Sequence, residues 1–486
     1  MRIRHLIYTI SIVLLAFSAA LAASTLVAIW YREGDVLAFV LSTVVTAALG
    51  FTGYRLTSLE RELTIREGYA IVSLTWIVVG TLGALPYLFS GVIPHPVSAM
   101  FESFSGFTTT GSTVLAEIEG QPRGILFWRS LTQWLGGMGI ILLGIAILPV
   151  LGVGGMRLFA AEVPGPTYER LSPRIAQTAK LLWYVYASLT GVLVLLLLLG
   201  GMSPYDAVNH ALTTMPTGGF SPRNDSLAGF SPFIQYTIIV FMYLAGVNFV
   251  LHFRALTGRP GVYGGHAEWR FYLLILVGAT AALWVMLLAH GHYDTVEAAF
   301  RNALFQVVSL STTTGYVNSD YNLWPMGGQL VLVGLMFMGG MAGSTAGGMK
   351  VVRVYILLQQ GLVEIRKSIH PRAIMVTRLG NKALEDNIVL NILGFVLLFF
   401  LIFAAGVLAL AALGHDLETA IGASIATVAN IGPGLGAVGA VEHFGWMDPI
   451  SHLILIFLMI VGRLEIFTVL LLFHPGLWAG ARGRPR

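Results

Sequence analysis

Cysteine is absent from all 486 residues. This chain can therefore build no disulfide framework, thiolate zinc site or catalytic thiol. Charge is scarce as well: Asp, Glu, Lys and Arg make up 11% of the residues, against 56% for the hydrophobic types. No stretch is polar enough for a soluble domain, and a mean hydropathy of +0.79 fits a chain that lies mostly in lipid. The 12 histidines show no paired metal-ligand spacing and read as interfacial or loop residues. No carboxylate pair, nucleophile–base constellation or nucleotide fingerprint occurs, so the chain is not read as an enzyme, and nothing points to nucleic acid.

What remains is apolar runs long enough to cross a bilayer, which takes about 20 residues as helix. We read about ten spans. A first pair lies near 6–30 and 35–56. Four larger units follow, each a long helix, a short apolar segment and a second long helix. The first helices fall near 68–90, 178–201, 269–290 and 383–413, the second near 124–150, 232–256, 324–362 and 446–474. The start of the chain has the look of a secretory leader, with Arg2, Arg4 and Ala20-Leu21-Ala22 around an apolar run. That run continues to Ile29-Trp30, which favours a first span over a cleaved leader.

Charge placement orients the spans. Segments 1–5, 55–67, 157–180, 252–270, 353–386 and 482–486 hold most of the 28 lysines and arginines, a positive-inside pattern with both termini cytoplasmic. More than half of the 24 acids fall on the opposite side, among them Glu102, Glu117, Asp206, Asp225, Asp294, Asp320, Asp416 and Glu442. An acidic outer face concentrates cations at a pore mouth. Trp30, Trp128, Trp134, Trp324 and Trp446 lie near expected helix ends, as an aromatic belt requires.

The short segments Pro96–Phe107, Ser203–Met215, Asp294–Ser311 and Asp416–Ala429 cannot span. Three begin with Ser or Asp, good helix N-caps. Each runs into a Thr/Gly strip: Thr109-Thr110-Gly111, Thr217-Gly218-Gly219, Thr313-Thr314-Gly315 and Asn430-Ile431-Gly432. Glycine tolerates the positive φ that lets successive carbonyls face one axis, and rings of carbonyls replace a cation's water shell. Irregular backbone at membrane depth survives where protein or a water-filled cavity surrounds it. Four strips in one polypeptide imply a complete cation pore. In the fourth, Gly432 and Gly434 compete for the filter place, and Gly432 keeps the spacing of the others.

The stretch 324–362 is too long for one plain span, and Gly339-Gly340, Gly343 and Gly347-Gly348 interrupt it. Such clusters weaken helix by roughly 1 kcal/mol per glycine. The expectation is a break that forms a gate from Gly343, Ser344, Thr345, Ala346, Gly347, Gly348 and Lys350. A GxxxGxxxG face for close helix packing is the competing reading. Arg463 sits in an apolar helix, where an ionisable residue costs about 2.5 kcal/mol or more and is functional by default. It either faces the pore or pairs with Glu465 or a neighbouring helix.

These motifs resemble the TrkH family, the membrane subunits of bacterial Trk potassium uptake systems. Phe101-Glu102-Ser103-Phe104-Ser105-Gly106-Phe107-Thr108-Thr109-Thr110-Gly111 is similar to its first pore segment and Asn430-Ile431-Gly432-Pro433-Gly434-Leu435-Gly436 to its fourth. Gly343-Ser344-Thr345-Ala346-Gly347-Gly348-Met349-Lys350 resembles its intramembrane loop, and Gly462-Arg463-Leu464-Glu465 its last helix. The resemblance implies an all-α polytopic fold with an N-terminal helix pair (1–60) and four helix–pore-loop–helix repeats around a pseudo-fourfold pore. Their bounds would be 61–156, 157–258, 259–366 and 367–486, the third with a broken second helix. It implies K⁺ uptake, with K⁺ bound by Thr109, Thr110, Gly111, Thr217, Gly218, Gly219, Thr313, Thr314, Gly315, Asn430, Ile431 and Gly432. Sodium-preferring relatives often carry Ser at the first filter glycine, so Gly111 favours K⁺. The resemblance further implies Arg463 as a barrier below the filter, a homodimer, and a cytosolic TrkA-like regulator that binds ATP/ADP or NAD(H) and docks on 353–382. No organic cofactor is expected in this chain. The location implied is the prokaryotic cytoplasmic (inner) membrane. The competing function is a secondary transporter coupling K⁺ or Na⁺ to H⁺, with Glu465 as its embedded carboxylate.

Overall fold

The computed structural model describes residues 2–58, 65–139, 175–373, 375–380 and 382–478. Expectations for the segment 157–180 up to residue 174, for 140–150 of the first unit's second helix, for 482–486 and for the unit boundaries near 60 and 156 lie outside the described residues.

The chain is a polytopic helical membrane protein. Two helices open it, α1 (Ile3–Tyr31) and α2 (Val36–Leu56). They pack through small residues: a Cβ at Gly53 of α2 would strike the Ser11 hydroxyl of α1, and one at Gly50 would press on the α1 backbone. Small residues at helix contacts are the rule in lipid, where association rests on close packing. Phe17 of α1 meets Phe107 and Trp128 with ring centroids 5.6 Å apart, which docks the pair onto the first unit.

The first unit runs α3 (Ile65–Leu82), α4 (Leu85–Ser90), the dipping helix α5 (Pro96–Phe107) and α6 (Arg123–Trp134), which ends in a π turn, Leu135–Gly139. The second has α7 (Ile175–Leu199), the dipping helix α8 (Pro204–Thr214), α9 (Pro232–Gly246) and α10 (Phe249–Leu256). The third has α11 (Ala267–Ala289), the dipping helix α12 (Val296–Ser311), α13 (Met326–Met338) and α14 (Val351–Ile369). The fourth has α15 (Asp386–Ala412), the dipping helix α16 (Leu417–Val428), α17 (Pro449–Arg463) and α18 (Ile466–Phe473). Leu195, Leu274 and Leu397 stand exposed on α7, α11 and α15, where a lipid-facing surface belongs.

Several expectations need correction. Among the described residues, six helices are long and apolar enough to span, or up to eight with bent pairs counted, rather than ten. Second helices were expected to be long and, apart from the third, unbroken. Instead α9 and α10 meet at 104°, and α17 and α18 at 119°. The cause lies in the site: each break sits where the chain passes under a dipping helix. The first half of the basic segment 353–386 is the helix α14, followed by a two-residue antiparallel pairing of Arg378–Leu379 with Lys382–Ala383. Thr295, not Asp294, caps α12. Trp128 and Trp324 are core residues, Trp128 donating to Gly83 O at 3.0 Å, so the aromatic belt loses both. Several histidines are buried inside helices, among them His5, His210, His252 and His452.

Candidate functional site

The four dipping helices end in the same way. Thr109, Thr217, Thr313 and Asn430 take φ of 52°, 57°, 57° and 55°, the left-handed region. The amide before each bend closes back three residues: Thr109 N–H donates to Gly106 O, Thr217 to Thr214 O, Thr313 to Leu310 O and Asn430 to Thr427 O. The next amide closes back five, from Thr110 to Ser105 O, Gly218 to Thr213 O, Thr314 to Ser309 O and Ile431 to Ala426 O. This paired pattern is a Schellman C-cap, normally built on glycine. A β-branched or amide side chain there costs on the order of 1–2 kcal/mol. Three threonines and an asparagine bear that cost at equivalent places, which marks the bend as a requirement of the site.

Two residues beyond each bend stands a glycine, again at positive φ: Gly111 (88°), Gly219 (77°), Gly315 (77°) and Gly432 (109°). A Cβ added to any of them would collide with the neighbouring strip. At Gly111 it would meet Gly218 O, at Gly219 Thr314 O, at Gly315 Ile431 O and at Gly432 Thr110 O. The four contacts close a circle in chain order, first unit to second, third, fourth and back. The oxygens of Thr110, Gly218, Thr314 and Ile431 thus make one ring, and only glycine permits the approach. Gly432, not Gly434, holds the fourth place: Gly434 lacks the positive φ, packs on the backbone of Gly422, and its carbonyl accepts from the Tyr321 hydroxyl at 2.8 Å. Gln133 also reaches the ring, donating from Nε2 to Gly218 O at 2.7 Å.

Beyond the glycines lies a cavity of about 180 Å³ that touches Gly111, Gly219, Gly315 and Gly432 together. Arg129, Arg223 and Glu442 are among its lining residues. Glu102 is buried and bound to the buried Arg129 at 2.7 Å, because its carboxylate also accepts the Val114 N–H and the Thr113 hydroxyl. Asp206 is tied to Arg223 at 2.8 Å. That ion pair raises the Arg223 pKa. Asp416 serves as the N-cap of α16.

At the other end of the strips, Gly339 to Lys350 form no helix, which removes the GxxxGxxxG face as a packing motif. Gly339, Gly343 and Gly348 all have positive φ. The segment is tied to three units. Met341 N–H donates to Gly246 O, the Thr345 hydroxyl engages Met215 O at 2.9 Å and Ala245 O at 3.1 Å, and Phe249 N–H donates to Gly343 O. Gly347 N–H donates to Thr313 Oγ1 at 2.6 Å, and Gly348 N–H to Ala429 O at 2.9 Å. Lys350, buried, donates from Nζ to Ala346 O, which closes the loop on itself. Arg463 supplies the tie to the first unit. It is the last residue of α17, and its guanidinium donates to Thr345 O at 2.9 Å, Gly136 O at 2.9 Å and Gly137 O at 3.2 Å. Glu465 instead receives Arg353 at 2.8 and 2.9 Å, and the Arg353 guanidinium stacks 3.7 Å over Phe395.

The reading of the sequence missed Gln133, Glu268 and Arg353. Glu268 at the start of α11 accepts the Ala342 N–H at 2.8 Å and so holds the loop's entry. Each partner is far away in the chain, and a lone polar residue in an amphipathic helix leaves no periodic signal.

Four short helices ending at one ring of carbonyls define a class: a polytopic helical membrane protein with re-entrant segments. The chain belongs to the TrkH family of cation transport proteins, which matches it over residues 36–478. It is 41% identical over 487 residues to the Trk system potassium uptake protein TrkH of Salmonella typhimurium, covering 98% of this chain and 100% of that protein. The Escherichia coli K12 protein of the same name is equally similar, at 41% over 487 residues. The crystal structure of the potassium transporter TrkH from Vibrio parahaemolyticus superposes with a TM-score of 0.89 at 39% identity, covering 99% of this chain and 100% of that one.

Proposed function

We propose that this chain carries K⁺ across the prokaryotic cytoplasmic membrane through the ring of Thr110, Gly218, Thr314 and Ile431 oxygens, flanked by the carbonyls of Thr109, Thr217, Thr313 and Asn430. The observation that carries this reading is the closed circle of glycine–carbonyl contacts, which needs all four strips at once. Carbonyl dipoles fixed by Schellman caps and buried in protein replace a water shell without reorganising. The segment Gly343–Lys350 is the gate, and Arg463 both anchors it and sets a positive barrier. Four pore repeats follow the N-terminal pair at the bounds given by the sequence, with both termini cytoplasmic. The chain works as a homodimer, and a cytosolic nucleotide-binding regulator docks on the basic segment 353–382. Proton coupling through Glu465 is disfavoured by its pairing with Arg353.

The test is ⁸⁶Rb⁺ uptake into proteoliposomes with K⁺ or Na⁺ competing, in wild type and Gly111→Ser. K⁺ should compete strongly in the wild type, and Na⁺ should gain about tenfold in the variant. Equal competition by Na⁺ in the wild type removes the selectivity claim. Uptake that demands a pH gradient moves the protein to the coupled-transporter class.

A further inference from the structure

The four strips are braced, the first and third by hydroxyl pairs and the second and fourth by amide side chains. In the first and third strips a hydroxyl pair holds the turn from within: Thr108 and Thr110 Oγ1 lie 2.7 Å apart, Thr312 and Thr314 Oγ1 2.8 Å apart. In the fourth, Asn430 Nδ2 donates to Met459 O at 3.0 Å and to Thr110 Oγ1 at 2.9 Å. The second strip reads Pro216-Thr217-Gly218 and has no hydroxyl at either equivalent place. Gln133, from α6 of the preceding unit, supplies the brace. It is fully buried, donates from Nε2 to Gly218 O at 2.7 Å and accepts the Phe220 N–H on Oε1 at 3.0 Å. One partner is an acceptor and the other a donor, so the amide's orientation is determined. A Cβ at Gly218 would collide with this amide, whereas the other strips carry Thr110, Thr314 and Ile431 at that position.

We propose that Gln133 is a positioning residue for the ring, tethering the Gly218 carbonyl so that it cannot close around a smaller cation. The proposal rests on the reading of the ring as the selectivity filter. Glycine is the residue freest to rotate its peptide, and besides Gln133 the Gly218–Gly219 peptide is held by the Gly219 N–H on Thr213 O at 3.3 Å. A carbonyl has two lone pairs. Gln133 occupies one and leaves the other for the ion, which makes the second oxygen the least adaptable of the four. Na⁺ needs its ligands closer than K⁺ does, so a tether that prevents collapse disfavours Na⁺.

The experiment is ⁸⁶Rb⁺ uptake by the full chain in proteoliposomes with Na⁺ as competitor, comparing wild type, Gly111→Ser and Gln133→Met, which keeps the side-chain length and loses both hydrogen bonds. Na⁺ should compete about tenfold better in Gln133→Met, the effect of losing, of the two, the buried hydrogen bond on Gly218 O. If Gly111→Ser changes Na⁺ competition and Gln133→Met does not, the tether is wrong and the filter reading stands. If neither changes it, the filter reading itself fails. Where Gln133→Met does not yield monodisperse protein, the complementary pair decides. Gly218→Thr alone has no room beside Gln133, and Gln133→Ala with Gly218→Thr should recover folding and Rb⁺ uptake. Absence of that recovery overturns the proposal.

Discussion

At the scale of single residues, two glycines of this chain should behave in opposite ways. Gly219 has φ of 77°, and a Cβ there meets Thr314 O. Gly219→Ala therefore combines backbone strain with a clash against the Thr314 carbonyl, whose own peptide is held by the Gly315 N–H on Ser309 O. Strain of this kind costs on the order of 1–3 kcal/mol. Rb⁺ uptake should fall about tenfold or more, with a lower melting temperature in detergent. Gly191, within α7, has nothing within 4 Å of a Cβ. Gly191→Ala should leave uptake unchanged and raise stability by about 0.5–1 kcal/mol through helix propensity. Equal loss of uptake in both variants would show that the ring geometry has no special weight. The same comparison shows what a sequence can reveal. Turns at Gly111, Gly219, Gly315 and Gly432 were legible, because glycine takes positive φ at little steric cost. The Thr and Asn bends before them were not, since nothing local announces a left-handed threonine.

At the scale of elements, the dipping helices were legible almost to the residue, α5 spanning Pro96–Phe107 as its segment implied. A short apolar run between a cap and a Thr/Gly strip leaves little choice. The bends at Val247 and Leu464 were hidden, because the flanking halves together read as one span. What the bends serve is tertiary: Gly246 lies against Thr312 at the end of α12, and Gly462 against Val428 O at the end of α16, so each bend passes a dipping helix at close range. The caps hold these helices in place. Asp416 accepts the Thr419 N–H at 3.0 Å, and hydrogen bonds from the Thr419 backbone and hydroxyl hold its pKa below the usual carboxylate value. Asp448 at the start of α17 is lowered likewise, first by the Ser451 hydroxyl. A carboxylate depressed in the fold contributes stability above its unfolded pKa and loses it as pH falls through the folded one. Asp416→Asn should therefore lie below wild type in melting temperature at neutral pH, and the gap should close in acid. Asp416→Ala should cost about 1 kcal/mol at neutral pH. A gap that persists below the folded pKa would assign the effect to something other than the charge.

At the scale of the whole molecule, one side chain gathers what the four units keep apart. Arg463 leaves the end of α17 in the fourth unit, holds Thr345 O of the loop in the third, and holds Gly136 and Gly137 O of the first. The loop in turn is bound to Met215, Ala245 and Gly246 O of the second. A guanidinium that donates to carbonyl oxygens keeps its positive charge. Two like charges about 8 Å apart repel by about 2 kcal/mol at an effective dielectric near 20. If the ring carries K⁺ as proposed, a repulsion of that size beneath it lowers occupancy and flux. Arg463→Ala should raise passive Rb⁺ flux about tenfold. Two effects could produce such a rise, loss of the charge or release of the loop, and a second pair of variants separates them. Arg463→Gln keeps amide donors for the carbonyls and removes the charge, whereas Arg463→Lys keeps the charge and loses the planar fork. If the barrier is electrostatic, flux rises in Gln and stays low in Lys. If the anchor dominates, Lys leaks and Gln remains closer to wild type. Unchanged flux in all three, with protein that folds normally, would remove Arg463 from control of the pathway.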